Sequence, residues 1–433
     1  MWPANNMKPV YLDHAAATEL DPRVRAAMLP FLEFEFGNPS AIYSLGRRAQ
    51  DALEKARAEI AQVIGARERE VIFTSGGTES DNLAILGAVR AYKEKGNQLV
   101  ISEIEHSAVK RAAEHLAKKE GFDLVTLSVS SDGLVSSKEL AQKITDRTTL
   151  VSIMYANNEI GTIQPIREIV KAVRDWKRGH GRGPGDPPFV HTDACQAAGY
   201  LDINVGRLGV DLMTINGSKI YGPKGTAILF KREGIRLEPI IFGGGQEQRL
   251  RPGTENVAGF VGLAKALEIA DARRKTESAR LRPLRDRLIS GIFEQIPDCR
   301  LNGHQNERLP NNVNVSISGV EGEALLLYLD NEGIAAATGS ACDSESLDPS
   351  HVILALGAPY ETAHSSLRFT LGRGTTRKDI DYVLEKLPLI VKLLRQVSPV
   401  YSCNAKNRAE CAKAFVAGRP YWEKARHSKK SGS

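Results

Sequence analysis

Residues 45–230 of this 433-residue chain alternate between helical and strand patterns, and this alternation constrains the fold more than any other feature. Residues 47–65 and 166–179 carry apolar side chains at helical spacing. Short apolar runs, such as 71–75 and 98–106, lie between segments of this kind. The pattern predicts an α/β fold with a mostly parallel sheet and helices on both faces. Ligands bind such sheets at the carboxyl ends of the strands, so functional residues are expected there.

From about residue 278 the pattern changes to that of a smaller α+β domain. A long charged helix is followed by a strand, a helix, a second strand and a closing helix. A chain of this length also exceeds the size at which a single core keeps growing, which favours two domains. The sequence therefore predicts a large domain over residues 18–275, a small domain over 1–17 and 276–401, and a basic tail over 402–433.

The composition is that of a soluble globular protein, with 42% hydrophobic and 25% charged residues. No apolar run approaches the ~18–20 residues that span a bilayer, and the N-terminus resembles neither a signal peptide nor a transit peptide. We therefore expect a cytoplasmic protein that does not enter a membrane. The five cysteines form no C-x-x-C pair and fit neither a disulfide framework nor a zinc site, so we expect reduced thiols and no metal.

The net charge of +6 is concentrated in the tail. Residues 402–433 contain eight Lys or Arg but only two Glu, which leaves the rest of the chain balanced. A basic tail can bind nucleic acid or an acidic partner, or it can be a solvated terminus. We expect the last of these and do not expect nucleic-acid binding.

Asp193 and Lys219 each stand at the end of a short apolar run that predicts a buried strand. Their side chains would therefore lie at the same end of the sheet. A desolvated lysine amine forms Schiff bases with carbonyl compounds, and a carboxylate beside a pyridine nitrogen keeps that nitrogen protonated. The pair thus suits pyridoxal 5'-phosphate (PLP). For two isolated residues a surface ion pair would be the simpler interpretation, so the surrounding motifs have to decide.

Three further segments carry candidate functional groups. Residues 74–80, TSGGTES, suit a phosphate at a helix N-terminus, although Ser and Thr are also ordinary helix caps. His106 follows a predicted strand and is either a solvent-facing helix start or a group that moves protons near neutral pH. Cys342 has small, polar neighbours rather than the apolar ones of a structural cysteine, so it is a candidate nucleophile.

A series of segments resembles the motifs of the PLP-dependent cysteine desulfurases of the class-V aminotransferase superfamily. In chain order they are YLDHAAAT, TSGGTESDN, EIEHSAV, YANNEIGTIQPI, HTDACQ, NGSKIYGPKG, RPGTEN, ATGSACDSES and HSSLRFTLGR. The resemblance runs from about Tyr11 to about Leu394, and the stretch after Cys342 resembles the branch with a long loop at this position. It implies the PLP-dependent transferase fold of type I, with PLP as cofactor. It also implies conversion of L-cysteine to L-alanine, with the sulfur retained as a persulfide on Cys342.

The resemblance also implies roles for individual residues. The cofactor-binding positions are Gly77, Thr78, His106, Asn158, Asp193, Gln196, Asn216, Ser218, Lys219 and Thr254. The catalytic positions are Lys219, Cys342 and His106, and those for the substrate carboxylate are Asn158 and Arg368. Thr254 would reach the phosphate of the neighbouring subunit, which implies a homodimer. Many relatives have histidine where this chain has Ser218, and some have serine where it has Asn216.

The implied partners are L-cysteine and a sulfur-acceptor protein, either an iron–sulfur scaffold or a relay for tRNA thiolation. A selenocysteine lyase or an aminotransferase is an alternative, since the fold does not decide the reaction. A non-catalytic binding partner with this fold is a second alternative. Cys342 favours sulfur extraction over transamination. The intact set of Lys219, Asp193, His106 and Cys342 argues against the non-catalytic alternative.

Overall fold

The computed structural model describes residues 9–339 and 348–397 of the chain. The strands in these ranges are β1 (Val10–Tyr11), β2 (Val71–Thr74), β3 (Gln98–Ser102), β4 (Asp123–Leu127), β5 (Thr148–Ser152), β6 (Phe189–Asp193), β7 (Leu212–Asn216), β8 (Ala227–Lys231), β9 (Cys299–Leu301), β10 (Asn312–Ile317), β11 (Ile334–Ala335) and β12 (Ser366–Thr370). The α-helices are α1 (Pro22–Glu33), α2 (Ser44–Ile64), α3 (Gly77–Ala91), α4 (Ser107–Glu120), α5 (Ser137–Lys143), α6 (Ile166–Gly179), α7 (Val205–Leu208), α8 (Val257–Gln295), α9 (Gly322–Asn331), α10 (His351–Ala355), α11 (Tyr360–His364) and α12 (Arg377–Val397).

A seven-stranded sheet forms the centre of the described structure, in the order β2-β8-β7-β6-β5-β3-β4. Strand β8 runs antiparallel to its neighbours β2 and β7, and the other pairings are parallel. Strands β2, β3, β5 and β6 are buried along their whole length, as expected for a sheet covered on both faces. The predicted α/β class with a mostly parallel sheet is therefore confirmed.

Helix α6 shows how the sequence pattern produces the covering layer. Its buried apolar residues, Ile166, Ile169, Val170 and Val173, recur at helical spacing and share one face. That face joins the apolar cluster formed with Val151 and other buried residues of the sheet. The predicted helix over 166–179 has the same bounds in the structure.

Two smaller sheets lie outside the seven-stranded sheet. Strand β10 lies between β12 and β9 in an antiparallel three-stranded sheet, and β1 pairs with β11 in parallel. The buried faces of β10 and β12 share one apolar cluster with α9, α12 and the second half of α8. Strand β1 thus pairs with a strand of the later part of the chain. The boundaries of the two domains stay a prediction.

Some predicted elements have different lengths in the structure. The charged helix predicted near 279–296 is the second half of α8, a 39-residue helix that begins at Val257 and crosses the predicted boundary at residue 275. The strand predicted over 98–106 ends at Ser102, because the following residues form the turn that leads into α4. In the two described ranges, no helix combines the length and apolar character needed to cross a membrane.

Candidate active site

Asp193 and Lys219 lie at the same edge of the large sheet. Asp193 is the last residue of β6, and its neighbour across the sheet is Thr214 of β7. Lys219 closes the short 3₁₀ turn Gly217–Lys219 that follows β7 directly. The structure therefore brings the predicted carboxylate and amine to the ends of adjacent strands. This arrangement favours a shared site over the alternative of an isolated surface ion pair.

The segment 74–80 forms the start of α3 beside these strand ends. Helix α3 begins at Gly77, and its N-cap residue, Gly76, has no side chain with which to cap the first N–H groups. A Cβ atom on Gly77 would lie 3.1 Å from the Cys195 Sγ and 3.5 Å from the Asn216 Nδ2. The absence of a side chain thus lets this turn approach β6 and β7 closely. Thr78 follows in the first turn and is exposed. The backbone N–H groups at this helix start therefore suit a phosphate. This favours a phosphate site over the alternative that the sequence left open, a helix start capped by Ser or Thr.

Asn216 organises the turn that carries Lys219. Its Oδ1 accepts hydrogen bonds from the backbone N–H of Ser218 at 3.0 Å and from the Ser218 hydroxyl at 3.1 Å. Because the backbone N–H can only donate, the amide is oriented with Nδ2 towards Gly77. Ser218 and Asn216, the two departures from the family pattern, therefore contact each other.

The N-terminal segment 13–18 lies over the same edge of the sheet. Lys219 Nζ donates to the backbone oxygen of Ala16, and Gln196 Nε2 donates to that of Ala15 at 3.0 Å. Thr18 Oγ1 donates to the Ser218 oxygen at 3.0 Å. No residue of this segment was predicted as part of the site. The structure shows that its backbone orients the predicted lysine and Gln196.

Asp193 has a buried polar cluster behind it. Its Oδ1 accepts a hydrogen bond from the Cys195 N–H at 2.9 Å, and the residue is 8% exposed. His191, two residues earlier on β6, contacts Ser152 Oγ at 2.8 Å and Thr214 Oγ1 at 3.1 Å, and burial lowers its pKa to about 4. Burial, together with the charge of Asp193, raises the pKa of Asp81 well above its ordinary value. Burial thus favours the uncharged forms of Asp81 and His191, which lie behind the Asp193 carboxyl.

His106 is the N-cap of α4 at the end of the turn after β3. Its Nδ1 accepts a hydrogen bond from the Ala108 N–H at 3.1 Å, which assigns the ring proton of the neutral form to Nε2. The preceding Glu105 is fully buried, and its carboxylate accepts hydrogen bonds from Ser102 Oγ and the Met154 N–H. Burial raises the pKa of Glu105 to about 8. Sequence reasoning missed Glu105, although a charged residue inside an apolar strand-end motif was a usable signal.

Arg368 and Asn158, the two predicted carboxylate-binding residues, are in contact. Arg368 Nη1 donates to the Asn158 backbone oxygen at 3.1 Å, and Nη2 donates to Asp13 Oδ1 at 2.8 Å. The guanidinium is 3% exposed, so Arg368 is not the surface arginine that its edge strand would allow. Its Nε has no hydrogen-bond partner within residues 9–339 and 348–397. Asp13 was not predicted as part of the site.

Thr254 lies apart from these contacts. It is exposed on the loop before α8, and its predicted contact with a second subunit stays a prediction. The same loop is tied to the start of α3, because Arg251 Nε donates to Glu79 Oε1 at 3.1 Å.

Cys342 falls outside the described residues, as does the tail 402–433 with Cys403 and Cys411. Residues on both sides of 340–347, which we call the Cys342 segment, nevertheless lie at the site. A cavity of about 510 Å³ is lined by His106 and Asn158 together with Gly339 and Ser350. Cys195, by contrast, is buried beside Asp193, and burial raises the pKa of its thiol. Where side chains are described, no cluster of His, Cys, Asp or Glu is arranged to hold a metal ion.

Comparison with known proteins agrees with this geometry. The profile of the family Aminotransferase class-V matches residues 10–383, most of the chain. The chain belongs to this family. A relative named cysteine desulfurase IscS, from Clostridium botulinum strain Hall, is 47% identical over 405 residues and covers 93% of this chain and 99% of its own. A solved structure named NifS-like protein has a TM-score of 0.82 at 33% identity and covers 89% of this chain and 100% of its own.

A second solved structure, SspA in complex with cysteine, is 32% identical to this chain, with a TM-score of 0.71. It covers 84% of this chain and 98% of its own. These matches confirm the predicted type I fold of PLP-dependent transferases and establish the protein as a PLP-dependent enzyme. The uncapped start of α3, the buried carboxylate of Asp193 and the strand-end amine of Lys219 fit the phosphate, pyridine nitrogen and aldehyde of that cofactor.

Proposed function

We propose that the protein is a cysteine desulfurase, which converts L-cysteine to L-alanine and keeps the sulfur as a persulfide on Cys342. The observation that carries this proposal is the cavity in which His106 and Asn158 face the residues that flank the Cys342 segment. The Clostridium botulinum relative named above is a cysteine desulfurase, and one structural neighbour, SspA, was solved with cysteine bound. The sulfur would then pass to an acceptor protein, an iron–sulfur scaffold or a tRNA-thiolation relay, in the cytoplasm.

The residues of the site divide the cofactor's binding among them. The N–H groups of Gly77 and Thr78, with Asn216 and Ser218, would hold the phosphate. The Asp193 carboxylate would hold the proton of the pyridine nitrogen, and Gln196 would contact the phenolic oxygen. His106 would stack on the ring, and Lys219 would bind the aldehyde carbon. When bound, PLP supplies an electron sink for the negative charge that develops at the substrate Cα.

The protein's own groups then act on the substrate. Arg368 and Asn158 would hold its carboxylate, which places the amine and Cα near Lys219. The Lys219 amine would take the Cα proton and return a proton to the product. The Cys342 thiolate would attack the substrate sulfur, so that an S–S bond forms while the carbon–sulfur bond breaks and its electrons remain with the carbon fragment. The products are alanine and a Cys342 persulfide, which balances the atoms of cysteine and thiol.

We propose a homodimer as the functional form. Large apolar side chains on two segments remain exposed in the single chain: Leu32 at 61%, Phe34 at 71%, Phe36 at 73%, Ile42 at 90% and Phe242 at 85%. Exposed apolar groups of this size are typical of protein interfaces. A partner subunit would cover them and receive Thr254. Sedimentation equilibrium at micromolar concentration tests this proposal, and a monomeric protein would contradict it.

The test of the activity uses purified PLP-loaded enzyme with L-cysteine. We expect alanine and, with a reductant present, an equal amount of sulfide. Without reductant, a single turnover should leave a persulfide on Cys342 that mass spectrometry detects after alkylation. A 2-oxo acid formed in place of alanine would indicate an aminotransferase. Turnover of L-selenocysteine without turnover of L-cysteine would indicate a selenocysteine lyase.

A further inference from the structure

Gly339 and Ser350, which stand just before and three positions after residues 340–347, meet at one point of the active-site wall. A Cβ atom on Gly339 would lie 3.0 Å from Glu159 Oε2 and 3.1 Å from the Ser350 Cβ. Gly339 and Ser350 are thus in contact although eleven positions separate them in the chain. Glycine suits position 339, because a side chain there would make tight contacts with Glu159 and Ser350.

The upstream end belongs to the β12 side of the site. Ala337 exchanges two backbone hydrogen bonds with Arg368, at 2.6 and 3.0 Å. Gly339 N–H then contacts Ser366 Oγ at 3.4 Å. The residues that lead into the Cys342 segment therefore pair with the strand that carries Arg368, the arginine expected to hold the substrate carboxylate.

The downstream end is attached to the large sheet instead. Ser350 Oγ donates to Glu159 Oε2 and accepts hydrogen bonds from the N–H groups of Val352 and Ile353, at 3.2 and 3.3 Å. The ring Nε2 of His351 contacts the backbone oxygen of Glu105 at 3.0 Å. Each attachment is made to the neighbour of a predicted site residue, since Glu159 follows Asn158 and Glu105 precedes His106. We call Glu159, Ser350 and His351 the downstream anchor.

Apolar packing supports the downstream anchor. Val352 and Ile353 of α10 share a buried cluster with Ile104, Met154 and Ile160, which follow strands β3 and β5 of the large sheet. Glu159 itself cannot shift easily. Its N–H donates to Asn157 Oδ1 at 2.8 Å, and its backbone oxygen accepts hydrogen bonds from the side chains of Asn312 and Asn314, both at 3.1 Å.

We infer that Glu159 and Ser350 are positioning residues for sulfur transfer: their hydrogen bond fixes the downstream end of the Cys342 segment at the active-site wall. This inference rests on the proposed function. The role of Glu159 is that of an acceptor, because the Ser350 hydroxyl has one hydrogen to donate while its oxygen caps α10. Burial raises the pKa of Glu159 to about 7, and the carboxyl accepts this hydrogen bond in either protonation state. Neither side chain is among those assigned above to the cofactor or the substrate.

The experiment compares Ser350→Ala, Glu159→Ala and the conservative Glu159→Gln in the PLP-loaded enzyme. The matched control is Ser136→Ala, which removes the serine N-cap of α5 at an exposed position away from the site. The KM for L-cysteine and the change that cysteine produces in the cofactor's visible spectrum should stay as in the wild type. The single-turnover rate of persulfide formation on Cys342 should fall roughly fivefold or more in both alanine variants, because each of them loses the hydrogen bond between Ser350 and Glu159. Glu159→Gln should restore most of the rate, since its amide oxygen still accepts the hydrogen bond.

A second measurement does not depend on turnover. Hydrogen exchange of the α10 amides in the resting enzyme should accelerate in Ser350→Ala and Glu159→Ala but not in Glu159→Gln. Wild-type persulfide rates in both alanine variants would overturn the inference, as would a rise in KM that accounts for the whole loss. A glutamine variant as slow as the alanine variant would replace the acceptor role by a proton-transfer role. Absence of alanine from the wild-type enzyme would refute the proposed function instead, and the exchange data would still decide whether Glu159 holds α10.

Discussion

Glu105→Gln should change how the stability of the protein depends on pH. Glu105 is completely buried, and Oε2 has no hydrogen-bond partner in the described part of the chain. Burial is the main reason that its pKa rises from 4.5 to about 8. Below pH 4.5 the carboxyl is protonated in both the folded and the unfolded protein. Between pH 4.5 and 8 the unfolded chain loses this proton while the folded protein keeps it, so the free energy of unfolding falls as the pH rises.

The size of the effect follows from the two pKa values. Each unit of difference is worth about 1.4 kcal/mol, so the folded state loses about 5 kcal/mol of stability over this range. Glutamine cannot ionise, so the variant lacks this contribution. The hydrogen-bond donors of its amide change the free energy of unfolding by an amount that does not depend on pH. The quantity to compare is therefore the slope of the unfolding free energy against pH.

The assay is urea unfolding of wild type and variant at saturating PLP, at intervals from pH 5 to pH 8.5. We expect the difference in unfolding free energy to grow in favour of Glu105→Gln by about 1 kcal/mol per pH unit. Glu385→Gln, whose side chain is 66% exposed, controls for the loss of a surface carboxylate. Parallel stability curves for wild type and Glu105→Gln would refute the assignment of a raised pKa to Glu105.

Further predictions concern the reaction and the tail. Lys219→Ala should fold and lose both turnover and the visible absorption band of the lysine-bound cofactor, and a retained band would show that another amine binds it. Cys342→Ser should still change the cofactor spectrum on addition of L-cysteine but should release no alanine, and undiminished alanine would mean that sulfur leaves by another route. Arg368→Lys should raise the KM for L-cysteine by roughly 10- to 100-fold, because a charged bidentate contact worth about 1.5–3 kcal/mol is lost, and an unchanged KM would place the carboxylate elsewhere. Truncation after residue 402 should leave alanine formation unchanged but weaken binding of an acidic acceptor at 0.1 M salt. That difference should vanish near 1 M, where the Debye length falls from ~10 to ~3 Å, and equal affinities at low salt would leave the tail without this role.

The sequence predicted those features that depend on local pattern. Alternating helical and strand segments indicated the sheet, and the positions of Asp193 and Lys219 after apolar runs placed both at one edge of it. Glycines and small residues in 74–80 indicated the phosphate-binding turn, which the uncapped start of α3 supports. These inferences need only the direction of neighbouring side chains, which the period of a helix or strand determines.

Contacts between distant segments could not be predicted in this way. Asp13 pairs with Arg368 and Glu159 with Ser350 across 355 and 191 positions, and no local pattern links either pair. Glu159 stands beside the predicted site residue Asn158 in the sequence, but only the folded chain shows what Asp13 and Glu159 contact.

The protonation states of the buried acids were also decided by tertiary structure alone. The sequence shows Asp81, Glu105 and Glu159 as three ordinary carboxylates, and burial raises the pKa of each of them. A residue's pKa depends on the water and charges that packing removes or brings near, and these come from several segments at once. The sequence by itself therefore determined the sheet and the candidate reactive groups at its edge, whereas tertiary packing decided how these groups are oriented and charged.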